Sequence, residues 1–254
     1  MHPRSASRST TPVVLLPPSE GKAEGGEGAP WADATMRFDL DDARRRVMTA
    51  ARTRLPPDLA ASPTMPAIDR YTGVLYGALA YHDLDRATRR RVDAQVIVFS
   101  GLWGLVAPRD PIPAYKLKMA AAAPRLGRLA TWWRPRIAPV LDPFVDGRVV
   151  WDLLPQEHHG AWPNSEAPTL RITVRFLDEV ERLGRRKLIT VSHWNKLLKG
   201  ALVRHVVATR LIEPDGLAEF DHPQGYRYRP ELTEVDGERL VVTMVADRVP
   251  DSTA

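Results

Sequence analysis

The chain has 254 residues, 44% hydrophobic and 26% charged, with no cysteine, a formal net charge of +5 and a sequence pI of about 9.7. That length suits one large domain or two small ones. No apolar run approaches the ~18 residues of a membrane span, and without cysteine there is no disulfide, thiolate metal site, Cys nucleophile or iron–sulfur cluster.

A cytoplasmic setting is the default expectation, with no membrane partner. The positive excess points to an anionic partner only if it clusters, because alanine, arginine and proline are enriched throughout. Residues 1–11, polar and without an apolar h-region, are expected to be a disordered leader, and residues 249–254 a disordered tail. Between them, residues 12–248 read as one domain.

Residues 12–16 form a short apolar strand candidate running into PPSEGKAEGGEG (17–28). A glycine-rich loop after a strand can cradle phosphate through its N–H groups, with Ser19 and Lys22 at hand. A Walker A loop is excluded, because Leu16 stands where its first glycine belongs and Ala23 follows Lys22. Residues 23–30 read as a flexible acidic and glycine-rich linker. Residues 39–55 predict a helix with Asp39, Asp41 and Asp42 at its start and Arg44-Arg45-Arg46 on a solvated face. Residues 67–84 show helical spacing, with a tyrosine stripe read as core, and a basic helix over 83–93 follows.

Residues 96–119, VIVFSGLWGLVAPRDPIPAYKLKM, combine a buried-strand run, a glycine turn, a proline-stiffened loop and a polar-aromatic ending. This is how a sheet presents side chains at its carboxyl edge. Residues 124–141 have helical spacing broken by Pro135 and Pro139. A strand over 149–154 ends near Glu157, His158 and His159, groups able to act as acids, bases or ligands. A strand at 169–175, a helix at 176–186 and a strand at 188–191 come next. A helix over 195–212 carries Lys196, Lys199 and Arg204 on one side, with Gly200 allowing close approach of a backbone or ligand. A hairpin turning at Asp236-Gly237 and a final strand at 239–246 close the chain.

Taken in order, PPSEGK (17–22), RYTGVLY (70–76), FSGLWGLVAPRDPIPAYKLKM (99–119), WWRP (132–135), WDLLPQEH (151–158), SHWNKLLKG (192–200) and QGY (224–226) resemble the YaaA peroxide-stress family, in an actinobacterial form. The resemblance implies a single α+β domain with a mixed β-sheet surrounded by helices. It also implies a cytosolic role in resisting hydrogen peroxide, and binding of duplex or branched DNA in a positive cleft. The chain is shorter than the enterobacterial type around residues 51–68, where that type carries a helix-hairpin-helix-like DNA contact. The residues themselves supply a mechanism: Lys22, Lys116, Lys118, Lys196, Lys199 and Arg204 neutralise phosphates without reading bases, and Ser19 joins them in binding the anion.

The alternative is an enzyme acting on a nucleotide or other small anionic substrate. A DNA clamp needs little besides cations, whereas Ser19, Tyr71, Ser100, Asp110, Tyr115, Asp152, Glu157 and Lys196 are hydroxyls, carboxylates and a lysine at loop positions. In that reading Ser100, Asp110, Tyr115, Glu157 and Lys196 carry catalysis. Asp110 or Glu157 serves as base, Lys196 stabilises developing charge and the backbone near Gly101 forms an oxyanion site. No metal site or cofactor is expected, since the oxygen and imidazole ligands lack pairing at helical spacing.

Overall fold

The computed structural model describes residues 11–163, 165–190, 195–222 and 224–248. The leader expected over 1–11 (Thr11 apart), the tail 249–254 and residues 192–194 of the SHWNKLLKG segment lie outside the described residues. The molecule is built on a mixed nine-stranded sheet. Its strands are β1 (Val13–Leu16), β2 (Val96–Ser100), β3 (Gly104–Val106), β4 (Val149–Asp152), β5 (Leu170–Arg182), β6 (Arg185–Thr190), β7 (Arg227–Tyr228), β8 (Glu234–Asp236) and β9 (Arg239–Asp247).

Five strands run parallel in the spatial order β9-β5-β4-β1-β2. β3 folds back antiparallel on β2, β7 and β8 lie antiparallel to β9, and β6 lies antiparallel to β5. Every residue of β1, β2 and β4 is buried, which is why those segments are unbroken apolar runs. The chain moves from β1 to β2 on one side, then returns to lay β4 on the other side of β1. That reversal opens a crevice at the carboxyl end of β1, where open α/β sheets bind ligands.

The helices are α1 (Asp41–Ala50), α2 (Ala67–Arg70), α3 (Val74–Leu79), α4 (Arg86–Gln95), α5 (Leu129–Val145), α6 (Gln156–His159) and α7 (Asn195–Thr209). Among the described residues none is long and apolar enough to cross a membrane. The α4 N-cap, Asp85, accepts from the amides of Ala87 (2.8 Å) and Thr88 (2.9 Å).

Four expectations are corrected. Residues 176–182 are strand, not helix: β5 runs through them and turns into β6 at Leu183-Gly184, both at positive φ (54° and 69°). Pairing of Phe176 with Met244 of β9 and of Val180 with Lys187 of β6 overrides their helical spacing.

Pro135 and Pro139 do not break α5, which continues past Pro143. The three prolines recur every fourth residue on the exposed face, so the carbonyls they leave unpaired face water. Leu129, Trp133, Ile137, Leu141 and Val145 repeat at the same interval on the buried face.

Arg44 is not on a solvated face. It is fully buried, and its guanidinium donates to the carbonyls of Trp103 (3.1 Å) and Leu105 (3.1 Å) and to Asp41 (2.6 Å). Finally, residues 23–30 are not a free linker. Buried Arg70 donates to the carbonyls of Ala23, Gly25 (2.8 Å) and Ile112 (3.1 Å), and Gly28 pairs with Thr64.

Candidate anion-binding site

The crevice at the end of β1 holds a cavity of ≈ 280 Å³. The loop leaving β1 (Pro17 to Lys22) forms its centre. Around it stand Lys116 to Met119, the first turn of α3 (Val74, Leu75, Tyr76), Pro155, Glu157 and His158 after β4, and Lys196 at the start of α7. Four lysines face two glutamates on this lining, leaving two positive charges in excess.

Local sequence explains each placement. In YKLKM the backbone is extended, so Tyr115, Leu117 and Met119 turn into the core while Lys116 and Lys118 are exposed. This segment lies directly on the glycine turn after β2. A Cβ at Gly101 would stand 2.7 Å from the carbonyl oxygens of Leu117 and Lys118, so no larger residue fits. Lys196 reaches the rim because α7 packs tightly on α3 through Gly200, whose Cβ would lie 2.1 Å from the Leu75 carbonyl oxygen.

Lys22 is the recessed member. Its Nζ donates to the Ser19 carbonyl (2.8 Å) and sits 4.2 Å from the Tyr115 ring centroid and 5.6 Å from that of Tyr71. Burial pulls its pKa down to about 8, with nearby Glu20 opposing the shift and Lys116 and Arg70 adding to it. Behind it runs a buried hydroxyl chain: Tyr71 to Tyr115 at 2.9 Å and Tyr115 to Ser100 at 2.7 Å. Burial pushes the Tyr115 phenol up to about 12 and raises that of Tyr71 well above its ordinary value, so both stay protonated. At the rim Lys118 pairs with Glu20 (2.8 Å), which raises the lysine and lowers the glutamate.

The predicted residues divide. Ser19, Lys22, Lys116, Lys118, Glu157 and Lys196 line one cavity. The Ser19 hydroxyl donates to the Gly21 carbonyl. Lys199 lies below it, largely buried, with its Nζ on the Leu153 carbonyl (2.8 Å) and its pKa lowered by burial. Ser100 and Tyr115 are second to Lys22 and do not line the cavity. The Ser100 hydroxyl takes up the amides of Leu102 (3.2 Å) and Trp103 (3.0 Å), so these amides do not form the oxyanion site expected near Gly101.

Asp110 is elsewhere: it is buried, and its two carboxylate oxygens accept from the amides of Arg37 (2.8 Å) and Ala107 (2.7 Å), a structural clamp rather than a base. Arg204 is also outside the cavity, at the far end of α3 on the Ala80 carbonyl (3.4 Å). Asp152 is committed to Arg171 (2.6 and 3.0 Å).

Sequence reading undervalued His158. It lines the cavity at 3% exposure, and neither ring nitrogen has a hydrogen-bond partner. Burial brings its pKa down to about 4, helped by His159 and Lys199 and opposed by Asp152, so it is neutral. Glu157 Oε1 lies 3.7 Å from its Nδ1, and nothing in the adjacent His158-His159 pair announces which histidine lines the cavity. Among the described residues no cluster of three or more His, Asp or Glu is placed to hold a metal ion.

Comparison with known proteins identifies the lineage. The family model for peroxide stress protein YaaA matches residues 14–232. The chain belongs to the YaaA peroxide stress protein family. A UPF0246 protein of Streptomyces coelicolor is 37% identical over 233 residues, covering 82% of this chain and 87% of that protein. A UPF0246 protein of Corynebacterium efficiens is 31% identical over 255 residues, with 92% and 99% covered. Another, from Dinoroseobacter shibae, is 34% identical over 171 residues, with 65% and 62% covered. Membership associates the chain with peroxide stress.

Proposed function

We propose that the protein serves the peroxide stress response in the cytoplasm by binding DNA through its phosphates at the carboxyl edge of the sheet. The observation that carries this reading is the convergence of Lys22, Lys116, Lys118 and Lys196, from three separate parts of the chain, on one cavity. Lys116, Lys118 and Lys196 are exposed at its rim, where a strand's backbone would pass. Neutralising phosphates releases counterions, so affinity falls with salt at about −0.9 per contact on a log–log scale. Contacts from the three exposed rim lysines give a slope of roughly −2.7, Lys22 being recessed. Fluorescence anisotropy with duplex and branched oligonucleotides from 50 to 300 mM salt measures it. Lys116→Ala and Lys196→Ala are each expected to reduce the slope by about 0.9, and a flat salt response refutes the reading.

A second reading, an enzyme acting on a nucleotide or other small anionic substrate, draws on the cavity's size and on His158. A space of ≈ 280 Å³ suits one small guest. A neutral, buried imidazole beside the Glu157 carboxylate suits an oriented polar contact more than a generic phosphate clamp. Thermal-shift comparison of mononucleotides against oligonucleotides separates the two: stabilisation by the former alone favours this reading.

A further inference from the structure

A phosphate clamp has no use for a lysine withdrawn from its rim. Lys116, Lys118 and Lys196 already present exposed ammonium groups there. Lys22 instead sits deep, roofed by two tyrosine rings and tethered by one hydrogen bond to the Ser19 carbonyl. Burial there disfavours ammonium relative to free amine, while the ring faces and the Ser19 carbonyl act the other way. With its pKa near 8, about one Lys22 in ten is neutral at pH 7, against roughly one in 3,000 for an ordinary lysine. A neutral amine in a desolvated pocket is a nucleophile toward carbonyl carbon. The same lining supplies rim cations for an anionic group, and the neutral His158.

We infer that Lys22 forms a reversible imine with an aldehyde that also carries phosphate, the rim lysines holding the phosphate while the carbonyl enters the cavity. This rests on the reading of the cavity as a phosphate site. The Nζ lone pair adds to the carbonyl carbon as the C=O π pair moves to oxygen. An amine proton passes to that oxygen, giving a carbinolamine. A proton from solvent then goes to the hydroxyl as its C–O bond breaks, so that water leaves and a protonated imine remains; hydrolysis reverses the sequence and returns that proton. No oxidant or reductant is consumed. The aldehyde has two sources of the same chemistry: a base-free deoxyribose within a DNA strand, or a free sugar phosphate.

The test incubates the full chain at pH 7 with cyanoborohydride, which reduces imines to stable secondary amines, and maps adducts by peptide mass spectrometry. Three aldehydes are compared: an oligonucleotide with one abasic site, glyceraldehyde 3-phosphate, and unphosphorylated glyceraldehyde. The expected result is labelling concentrated on Lys22, at least ~10-fold faster with a phosphorylated aldehyde than with glyceraldehyde. Faster reaction with the oligonucleotide assigns the strand as source, and faster reaction with glyceraldehyde 3-phosphate assigns the free compound.

The Lys22 rate is also expected to rise with pH through a midpoint near 8. Adducts spread evenly over exposed lysines, no adduct, or no advantage for phosphate would each overturn the inference. Binding of an intact oligonucleotide, measured in parallel, keeps the outcomes apart. Salt-sensitive binding without a Lys22 adduct removes the imine and leaves the phosphate reading standing, whereas absence of both removes both.

Discussion

Gly200→Ala tests the packing that builds one wall of the cavity. In an exposed helix this change gains about 1 kcal/mol of helix propensity. Here the new methyl carbon would stand 2.1 Å from the Leu75 carbonyl oxygen and 2.7 Å from the Ala78 Cβ. Ordinary contacts of this kind are ~3.5 Å, so α3 and α7 must separate by more than ~1 Å. The obstacle is backbone, which no rotamer change relieves. Overpacking costs typically ~1–3 kcal/mol; with the upper figure, the net loss is about 2 kcal/mol after the propensity gain. For a domain of this size that lowers Tm by roughly 4–8 °C.

The internal control is Gly77→Ala, one helix away. A Cβ there meets nothing within 4 Å, so stability is expected to rise by roughly 0.5–1 kcal/mol. The assay is urea unfolding followed by circular dichroism, with phosphate or oligonucleotide affinity in parallel. Gly200→Ala is expected to weaken binding as well, because Leu75, Tyr76 and Lys196 move with the two helices. A Gly200→Ala protein as stable as the parent, with Gly77→Ala behaving as expected, would refute the close approach of α3 and α7.

His158 links stability to acid. Its folded pKa of about 4 lies below the unfolded value of ~6.5, so between those pH values the unfolded chain binds the extra proton. Stability therefore falls as pH drops from about 6.5 toward 4, by up to about 3 kcal/mol, and the parent curve should be steeper there than that of His158→Gln in urea titrations. Arg171→Leu leaves the buried Asp152 carboxylate without its partner and is expected to cost about 3–5 kcal/mol, part of it regained by adding Asp152→Asn. Arg44→Leu strips donors from the Trp103 and Leu105 carbonyls and is expected to cost roughly 2–4 kcal/mol, read as a lower urea midpoint.

The sheet's centre was legible because strands buried on both faces must be continuous apolar runs, as residues 13–16, 96–100 and 149–152 are. The rim lysines were legible for a local reason too: the alternation in YKLKM and the position of Lys196 near a helix start follow from backbone periodicity. What escaped depends on distant chain. Phe176 and Val180 have helical spacing, and it takes the ladder with β9, some seventy residues after Phe176, together with the ladder with β6, to make them strand. Arg44 and Arg70 look like surface charge until the carbonyls of Trp103, Leu105, Ala23 and Ile112 are brought to them. Asp110 has the composition of a catalytic carboxylate, but the Arg37 amide, far away in sequence, claims one of its oxygens. His158 stands out no more than His159 beside it, since what distinguishes it is burial against the cavity, which depends on distant chain.

Because the chain reverses direction around β1, the cavity draws its lining from residues 17 through 196. No contiguous half of the polypeptide carries a working version of it. If the protein were cut between α5 and β4, neither piece alone would hold the whole lining, and the cavity would be complete only when the two pieces reunited. Split at that point, the chain would report its own reassembly.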